Sequence, residues 1–197
     1  MKKVLFVDCC IRREHSRSKQ LADFFLGELQ KKGDYEIETL CLMDENLSYF
    51  SEGFFLQREA LLAEGKLDHP RFRYAHQFAE ADKIVIAAPF WDLSFPSALK
   101  IWLEYVMAKE ITFRYSEEGF PQGLCKAKKL FYISTAGGPV LPTHLGFDYV
   151  NALAKNYFGI PETALFSAEN LDVIGADVEA ILARAKDEID TYWREHA

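Results

Sequence analysis

Short runs of apolar residues alternate with longer segments of helical period along this chain, and this alternation limits its fold more than any other feature. Residues 4–7, 84–88 and 130–133 are continuously apolar, which is typical of central strands buried on both faces. Residues 35–41 alternate between apolar and polar side chains, and residues 163–166 predict a fifth strand near an edge. Strands separated by helices predict a parallel sheet with helices on both faces.

The segments between these runs have the start and stop signals of helices. An apolar stripe at helical spacing follows Ser16, a second follows Pro96, and Gly159 ends a third. Residues 47–80 predict one crossover interrupted by a polar stretch, and the C-terminal segment predicts a last helix. Five strands with at least four crossover helices predict one α/β domain over residues 1–197, a three-layer doubly wound fold with strand order 2-1-3-4-5.

Composition excludes several classes of function. The net charge is −7 and no basic run is longer than a pair, so we expect neither nucleic acid nor an anionic membrane as a partner. The four cysteines fit neither a disulfide framework nor a zinc motif, which favours a reducing, cytoplasmic setting. Asp8 interrupts the apolar start of the chain, so we expect no signal peptide. No segment approaches the ~20 apolar residues of a membrane span.

A doubly wound sheet binds ligands where the loops after its first, third and fourth strands meet. In this chain these loops are residues 8–18, 89–95 and 135–143. The first has serines on both sides of Arg17 at a predicted helix start. Free backbone N–H groups, hydroxyls and a guanidinium can bind one phosphate monoester there. Ordinary capping of the helix by serine is the alternative interpretation.

The second and third loops favour a flat heteroaromatic ligand. Phe90, Trp91 and Leu93 can form an apolar wall while the loop's backbone amides bind a ring edge. Their alternative role is to pack against the next helix or a partner chain. Gly137 and Gly138 directly follow a central strand, where glycine lets the backbone approach a ligand closely. A tight turn would also explain both glycines.

Four groups of segments carry a resemblance to a known family. They are residues 3–7 with Ser16-Arg-Ser18, residues 84–91 with Pro96-x-x-Leu-Lys-x-Trp102, residues 111–115 with Gly119 and Gly123, and Ser134-Thr-Ala-Gly-Gly138. In this order they resemble the flavodoxin-like NAD(P)H-dependent oxidoreductases, which include FMN-dependent azoreductases and NAD(P)H:quinone reductases. The second group, followed by Thr-Phe-x-Tyr, is the most specific part of the match.

The resemblance implies a flavodoxin-like enzyme that uses FMN, with FAD as an alternative, and NAD(P)H as the reductant. A quinone or azo compound would be reduced by ping-pong hydride transfer through the flavin N5. Phe113 and Tyr115 match a segment that borders the partner's active site in the family, which implies a homodimer. The implied cofactor-binding residues are Ser16, Arg17, Ser18, Pro89, Phe90, Trp91, Asp92, Leu93, Thr135, Gly137 and Gly138.

His144 is the candidate catalytic side chain. It follows Gly138 by a few residues and is placed to donate a proton to a developing hydroquinone oxygen, because histidine titrates near neutral pH. A loop histidine or a helix-start residue is the alternative. The other histidines show no metal-ligand spacing, so no metal is expected.

Three departures from the family pattern bear on this interpretation. Cys9 and Cys10 replace frequent serines, Asp92 replaces an asparagine, and Lys109-Glu110 replaces a residue that is usually glycine. An aspartate at the pyrimidine edge of a flavin would disfavour an anionic reduced ring. Two other functions remain open. One is a flavodoxin-type electron carrier, and the other is a flavin- or nucleotide-binding regulatory subunit of a transporter.

Overall fold

A five-stranded parallel sheet lies between two layers of helices in the computed structural model, which describes residues 1–141 and 144–196. The strands are β1 (Lys2–Asp8), β2 (Tyr35–Cys41), β3 (Lys83–Ala87), β4 (Phe113–Tyr115), β5 (Pro121–Gly123), β6 (Lys129–Thr135) and β7 (Glu162–Ala168). The helices are α1 (Arg17–Gln30), α2 (Glu52–Ala63), α3 (Arg73–Glu80), α4 (Ser97–Val106), α5 (Leu145–Leu153) and α6 (Val178–Glu195).

The order of the strands in the sheet is β2-β1-β3-β6-β7. Since β4 and β5 form a separate hairpin, the five sheet strands have the order 2-1-3-4-5 when numbered along the chain, and the predicted fold class is confirmed. The continuously apolar runs are the central strands β1, β3 and β6, whose inner residues are buried. Their side chains alternate between two cores, one on each face of the sheet.

Aromatic side chains fill both cores. On one face Phe131 of β6 contacts Phe25 of α1 and Trp193 of α6, with ring centroids 4.7 and 5.6 Å apart. On the other face Phe78 of α3 packs on the fully buried Trp102 of α4 at 5.8 Å. The high aromatic content of the chain therefore serves mainly to hold the helices on the sheet.

The predicted helices are present, and one of them differs in detail. The crossover after β2 contains α2, a 3₁₀ turn at Pro70–Phe72 and α3, as its polar interruption indicates, and α2 has no buried residue. Helix α5 continues into one π-helical turn, Ala154–Phe158, before Gly159 ends it with φ of +71°. This position in the left-handed region explains why a glycine follows the helix.

The sequence does not predict the hairpin of β4 and β5. It pairs Phe113 with Gly123 in antiparallel register and packs on the π-helical turn after α5. A Cβ atom on Gly123 would lie 2.1 Å from the backbone nitrogen of Gly159 and from the carbonyl carbon of Phe158. Only glycine permits this approach of two backbones.

None of the helices formed by the described residues is both long and apolar enough to span a bilayer. Within residues 1–141 and 144–196, no three histidine, cysteine or acidic side chains are grouped to hold a metal ion.

Candidate functional site

The carboxyl ends of the strands border a cleft. Its lining residues are Ile11, Arg12, Ser16, Arg17, Pro89, Phe90, Trp91, Thr135, Ala136, Gly137, Leu171 and Asp172. All three predicted loops therefore contribute, and seven of the eleven residues predicted to bind a cofactor line the cleft. The other four, Ser18, Asp92, Leu93 and Gly138, do not line it. The last two residues of the third loop, Pro142 and Thr143, lie outside the described residues.

The start of α1 forms one end of the cleft. Ser16 caps the helix, since its Oγ accepts a hydrogen bond from the Lys19 N–H at 3.4 Å and its carbonyl oxygen accepts one from the Gln20 N–H at 3.0 Å. Across the described chain, the N–H groups of Arg17 and Ser18 have no acceptor, as is usual for a first helical turn. Two free backbone donors thus lie in the first turn of α1, where an anion is favoured, and Arg12, Ser16 and Arg17 line this end of the cleft.

Ser18 offers no side-chain donor to this end of the cleft. Its side chain is fully buried, and its Oγ lies 2.7 Å from Thr135 Oγ1. This hydrogen bond joins the first turn of α1 to the end of β6. The Ser18 hydroxyl therefore links the first and third loops of the cleft.

Asp172 is a site residue that the sequence analysis missed. Its Oδ1 lies 2.6 Å from Arg17 Nη1, so a carboxylate already pairs with the guanidinium at the anion-binding end. Its N–H donates to the Gly137 carbonyl at 2.8 Å. The signal that would have located it is topological. The loop after β7 must begin at the same sheet edge as the loops after β1, β3 and β6.

The second loop is a tight turn. Trp91 and Ser94 exchange two backbone hydrogen bonds, of 3.0 and 2.8 Å, and the Phe90 N–H donates to the Thr135 carbonyl at 2.9 Å. Between them, Asp92 and Leu93 both have positive φ, of +50° and +66°, a conformation that costs of order 1 kcal/mol or more for each non-glycine residue. The N–H groups of Phe90 and Trp91 are therefore occupied, whereas those of Asp92 and Leu93 have no acceptor in the part of the chain that the structure describes.

The apolar side chains of this loop differ in exposure. Phe90 is half-buried, whereas Trp91 is 42% exposed and Leu93 57% exposed. The Asp92 side chain is also exposed and does not line the cleft. Its carboxylate is accordingly screened by solvent, which reduces the effect on a bound ring that the sequence indicated.

His144 lies behind the cleft wall and does not line it. Its Nδ1 accepts a hydrogen bond from the Phe147 N–H at 3.0 Å and so caps α5. Its ring meets Phe90 edge-on, with centroids 4.7 Å apart. Because Nδ1 is an acceptor, the neutral ring has its proton on Nε2, an atom that is buried and has no partner in the described part of the chain. A catalytic role for His144 stays a prediction.

A family model described as "Flavodoxin-like fold" matches residues 2–192. The chain belongs to the flavodoxin-like family. FMN-dependent NADH:quinone oxidoreductase 2 of Clostridium acetobutylicum is 41% identical over 189 residues, which cover 92% of this chain and 93% of that protein. FMN-dependent NADH:quinone oxidoreductase of Clostridium beijerinckii is 38% identical over 191 residues, covering 95% and 96%. The crystal structure of azoreductase from Bacillus anthracis str. Sterne superposes with a TM-score of 0.82, at 25% identity and 99% and 100% coverage.

Two cysteines of this flavodoxin-like chain lie beside the cleft without offering a nucleophile. Cys9 and Cys10 are free and buried. Burial raises the pKa of both thiols, that of Cys9 to about 12. At neutral pH both are therefore uncharged, and they pack as small apolar side chains.

The stability of this flavodoxin-like protein should depend on the protonation of His144. Burial lowers the pKa of His144 below its ordinary value of 6.5, against smaller opposing effects of a backbone hydrogen bond, Asp148 and Glu169. A group whose pKa is lowered by folding contributes stability above its unfolded pKa and loses it as the pH falls. Protonated Nδ1 also cannot accept the Phe147 N–H.

We therefore expect the free energy of unfolding to fall by about 1 kcal/mol, the usual contribution of an N-cap, as the pH drops from 7.5 through the lowered pKa of His144. Urea unfolding at several pH values measures this loss. His144→Asn keeps a capping side chain that does not titrate, so its unfolding should show a smaller pH dependence. Equal pH dependence in both proteins would contradict the role assigned to His144.

Proposed function

We propose that this protein is an FMN-dependent oxidoreductase that passes electrons from NADH to quinone or azo acceptors. The observation that carries the proposal is one cleft with two dissimilar ends. Unpaired N–H groups and two guanidiniums lie at the start of α1, and an aromatic turn lies after β3. The names of the clostridial relatives support FMN, NADH and quinone, and the similarity to the Bacillus azoreductase supports an azo acceptor.

The residues of the cleft fit the phosphate of FMN. The N–H groups of Arg17 and Ser18, the hydroxyl of Ser16 and the guanidiniums of Arg12 and Arg17 would hold it. Charge-assisted hydrogen bonds from such a group of donors are the usual means of binding a phosphate monoester.

The other end of the cleft fits a flat ring. Phe90 and Trp91 would form one wall, and Thr135 with Gly137 would border the opposite edge. Asp92 and Leu93 do not line the cleft itself, and on this proposal their N–H groups would bind acceptors at the edge of the ring. Pro89 lines the same wall, and Gly138 continues the glycine loop.

FMN, when bound, would supply a two-electron carrier that takes a hydride at N5 from NADH and gives it to the acceptor, which makes turnover ping-pong. The chain's own residues bind the phosphate, orient the ring and leave an entrance that is open to solvent. None of these tasks needs a nucleophilic side chain.

We further propose that the protein is a homodimer. Several large apolar side chains are exposed, among them those of Trp91, Leu93, Leu141, Leu145 and Tyr149. Leu145 and Tyr149 lie one turn apart on α5, so that α5 and the aromatic turn present apolar surface that a second copy can cover. Light scattering should give a mass twice that of the 22.6 kDa chain, and a monomer at micromolar concentration would contradict this.

The purified protein is expected to show a flavin spectrum, to release FMN on acid treatment, and to oxidise NADH when a soluble benzoquinone or a monoazo dye is added. Parallel lines in double-reciprocal plots of the rates would support ping-pong turnover. Release of FAD would show that the cofactor is FAD and not FMN. A protein that holds FMN but oxidises no NADH with either acceptor would indicate an electron carrier, and a protein that binds no flavin would contradict the proposal.

A further inference from the structure

A carboxylate already occupies the anion-binding end of the cleft. Asp172 Oδ1 lies 2.6 Å from Arg17 Nη1, and both residues line the cleft. Arg17 is one of the two guanidiniums available to a phosphate there. A phosphate and the Asp172 carboxylate are both anions, so they compete for the same donor.

The backbone holds Asp172 in this position. The Leu171 N–H donates to the Ala136 carbonyl at 3.2 Å, and the Asp172 N–H donates to the Gly137 carbonyl at 2.8 Å. Gly137 also leaves the space that the carboxylate uses, because a Cβ atom there would lie 2.3 Å from Asp172 Oδ2. The loop after β7 is thus fastened to the glycine loop, and its aspartate points at Arg17.

The ion pair is weak enough to be displaced. The Arg17 side chain is 31% exposed and that of Asp172 69% exposed, and pairs with such exposure stabilise by a few-fold in an equilibrium constant at most. A ligand that gains binding energy elsewhere in the cleft can therefore take Arg17 from Asp172. A small anion with no other contacts has no such gain.

We propose that Asp172 sets the affinity of the cleft for ligands that carry a phosphate. In the free protein it occupies Arg17 as an internal anion, so inorganic phosphate and a flavin nucleotide pay the same cost to release Arg17, and only the nucleotide, which also contacts the aromatic turn, has a further gain to offset that cost. This inference rests on the proposed binding of FMN. Its consequence is that the affinity for FMN is below the value that the cleft would reach without Asp172.

The test uses apoprotein titrated with FMN and with riboflavin, which lacks the phosphate, and follows the quenching of flavin fluorescence. Asp172→Asn keeps the size of the side chain and removes its charge. We expect this variant to bind FMN about two- to fivefold more tightly and riboflavin with unchanged affinity. The inhibition constant of inorganic phosphate against FMN should fall by a similar factor in the variant. Asp187→Asn, an exposed position on α6, makes the same change of charge away from the cleft and should leave both affinities unchanged.

A second pair of variants tests whether the effect passes through Arg17. In an Arg17→Gln background the gain from Asp172→Asn should largely disappear, because the two substitutions remove the same interaction. Equal or weaker FMN binding by Asp172→Asn would overturn the inference while leaving FMN binding by the wild type intact. Equal tightening of riboflavin would overturn it as well. If the wild type and every variant fail to bind FMN, the proposed function fails together with the inference.

Discussion

Arg17→Glu is expected to weaken FMN binding by about a hundredfold or more. The substitution removes a charge-assisted hydrogen bond, worth about 1.5–3 kcal/mol, and puts a second carboxylate beside Asp172 at the end of the cleft that would hold the phosphate. A loss of about 2.7 kcal/mol corresponds to the hundredfold change. Fluorescence titration of the apoprotein measures it directly.

Two comparisons make this result specific to the phosphate. Riboflavin has no phosphate, so its affinity should change far less than that of FMN. Arg184→Glu introduces the same change of charge at an exposed position of α6 and should bind FMN like the wild type. If Arg17→Glu retains wild-type affinity for FMN, the phosphate is not bound at the start of α1.

Gly123→Ala is expected to destabilise the protein by about 3 kcal/mol or more. Its new methyl group would lie 2.1 Å from two backbone atoms, the nitrogen of Gly159 and the carbonyl carbon of Phe158. Backbone atoms cannot move aside as a flexible side chain can, so the hairpin of β4 and β5 must separate from the turn after α5. Overpacking of this kind costs about 1–3 kcal/mol in a side-chain core and more against backbone. Chemical denaturation measures the loss.

Gly27→Ala is the matched control for this substitution. Gly27 lies within α1, and a Cβ atom there would meet nothing within 4 Å. Alanine is about 1 kcal/mol better than glycine inside a helix, so this variant should be as stable as the wild type or more stable. If Gly123→Ala and Gly27→Ala have the same midpoint of denaturation, the close approach of the two backbones is not present in solution.

The sheet could be predicted from the sequence because each of its central strands is an uninterrupted run of apolar residues. Residues 4–7, 84–88 and 130–133 have no other stable place than the inside of a parallel sheet. The hairpin of β4 and β5 could not be predicted, since strands of three residues are too short to show a period. Its position depends on a contact between Gly123 and Gly159, which lie far apart in sequence.

The candidate site could likewise be predicted only in part. Ser16, Arg17 and the glycine loop carry local signals of a helix start and a close backbone approach, and the structure brings them to one cleft. Asp172 carries no such signal, because a single aspartate after an edge strand resembles any polar loop residue. Only the pairing of β6 with β7, which sets Thr135 beside Ala168, brings Asp172 to Gly137.

The hydrogen bond between Ser18 and Thr135 has a consequence for the entropy of binding. This buried contact of 2.7 Å fixes the first turn of α1 to the end of β6. The Thr135 carbonyl of β6 in turn accepts a hydrogen bond from the Phe90 N–H. The distance between the two ends of the cleft is therefore set before any ligand arrives. A ligand that spans both ends loses less free energy to the ordering of loops than it would on a flexible site, and rigidity of the apoprotein contributes to its affinity.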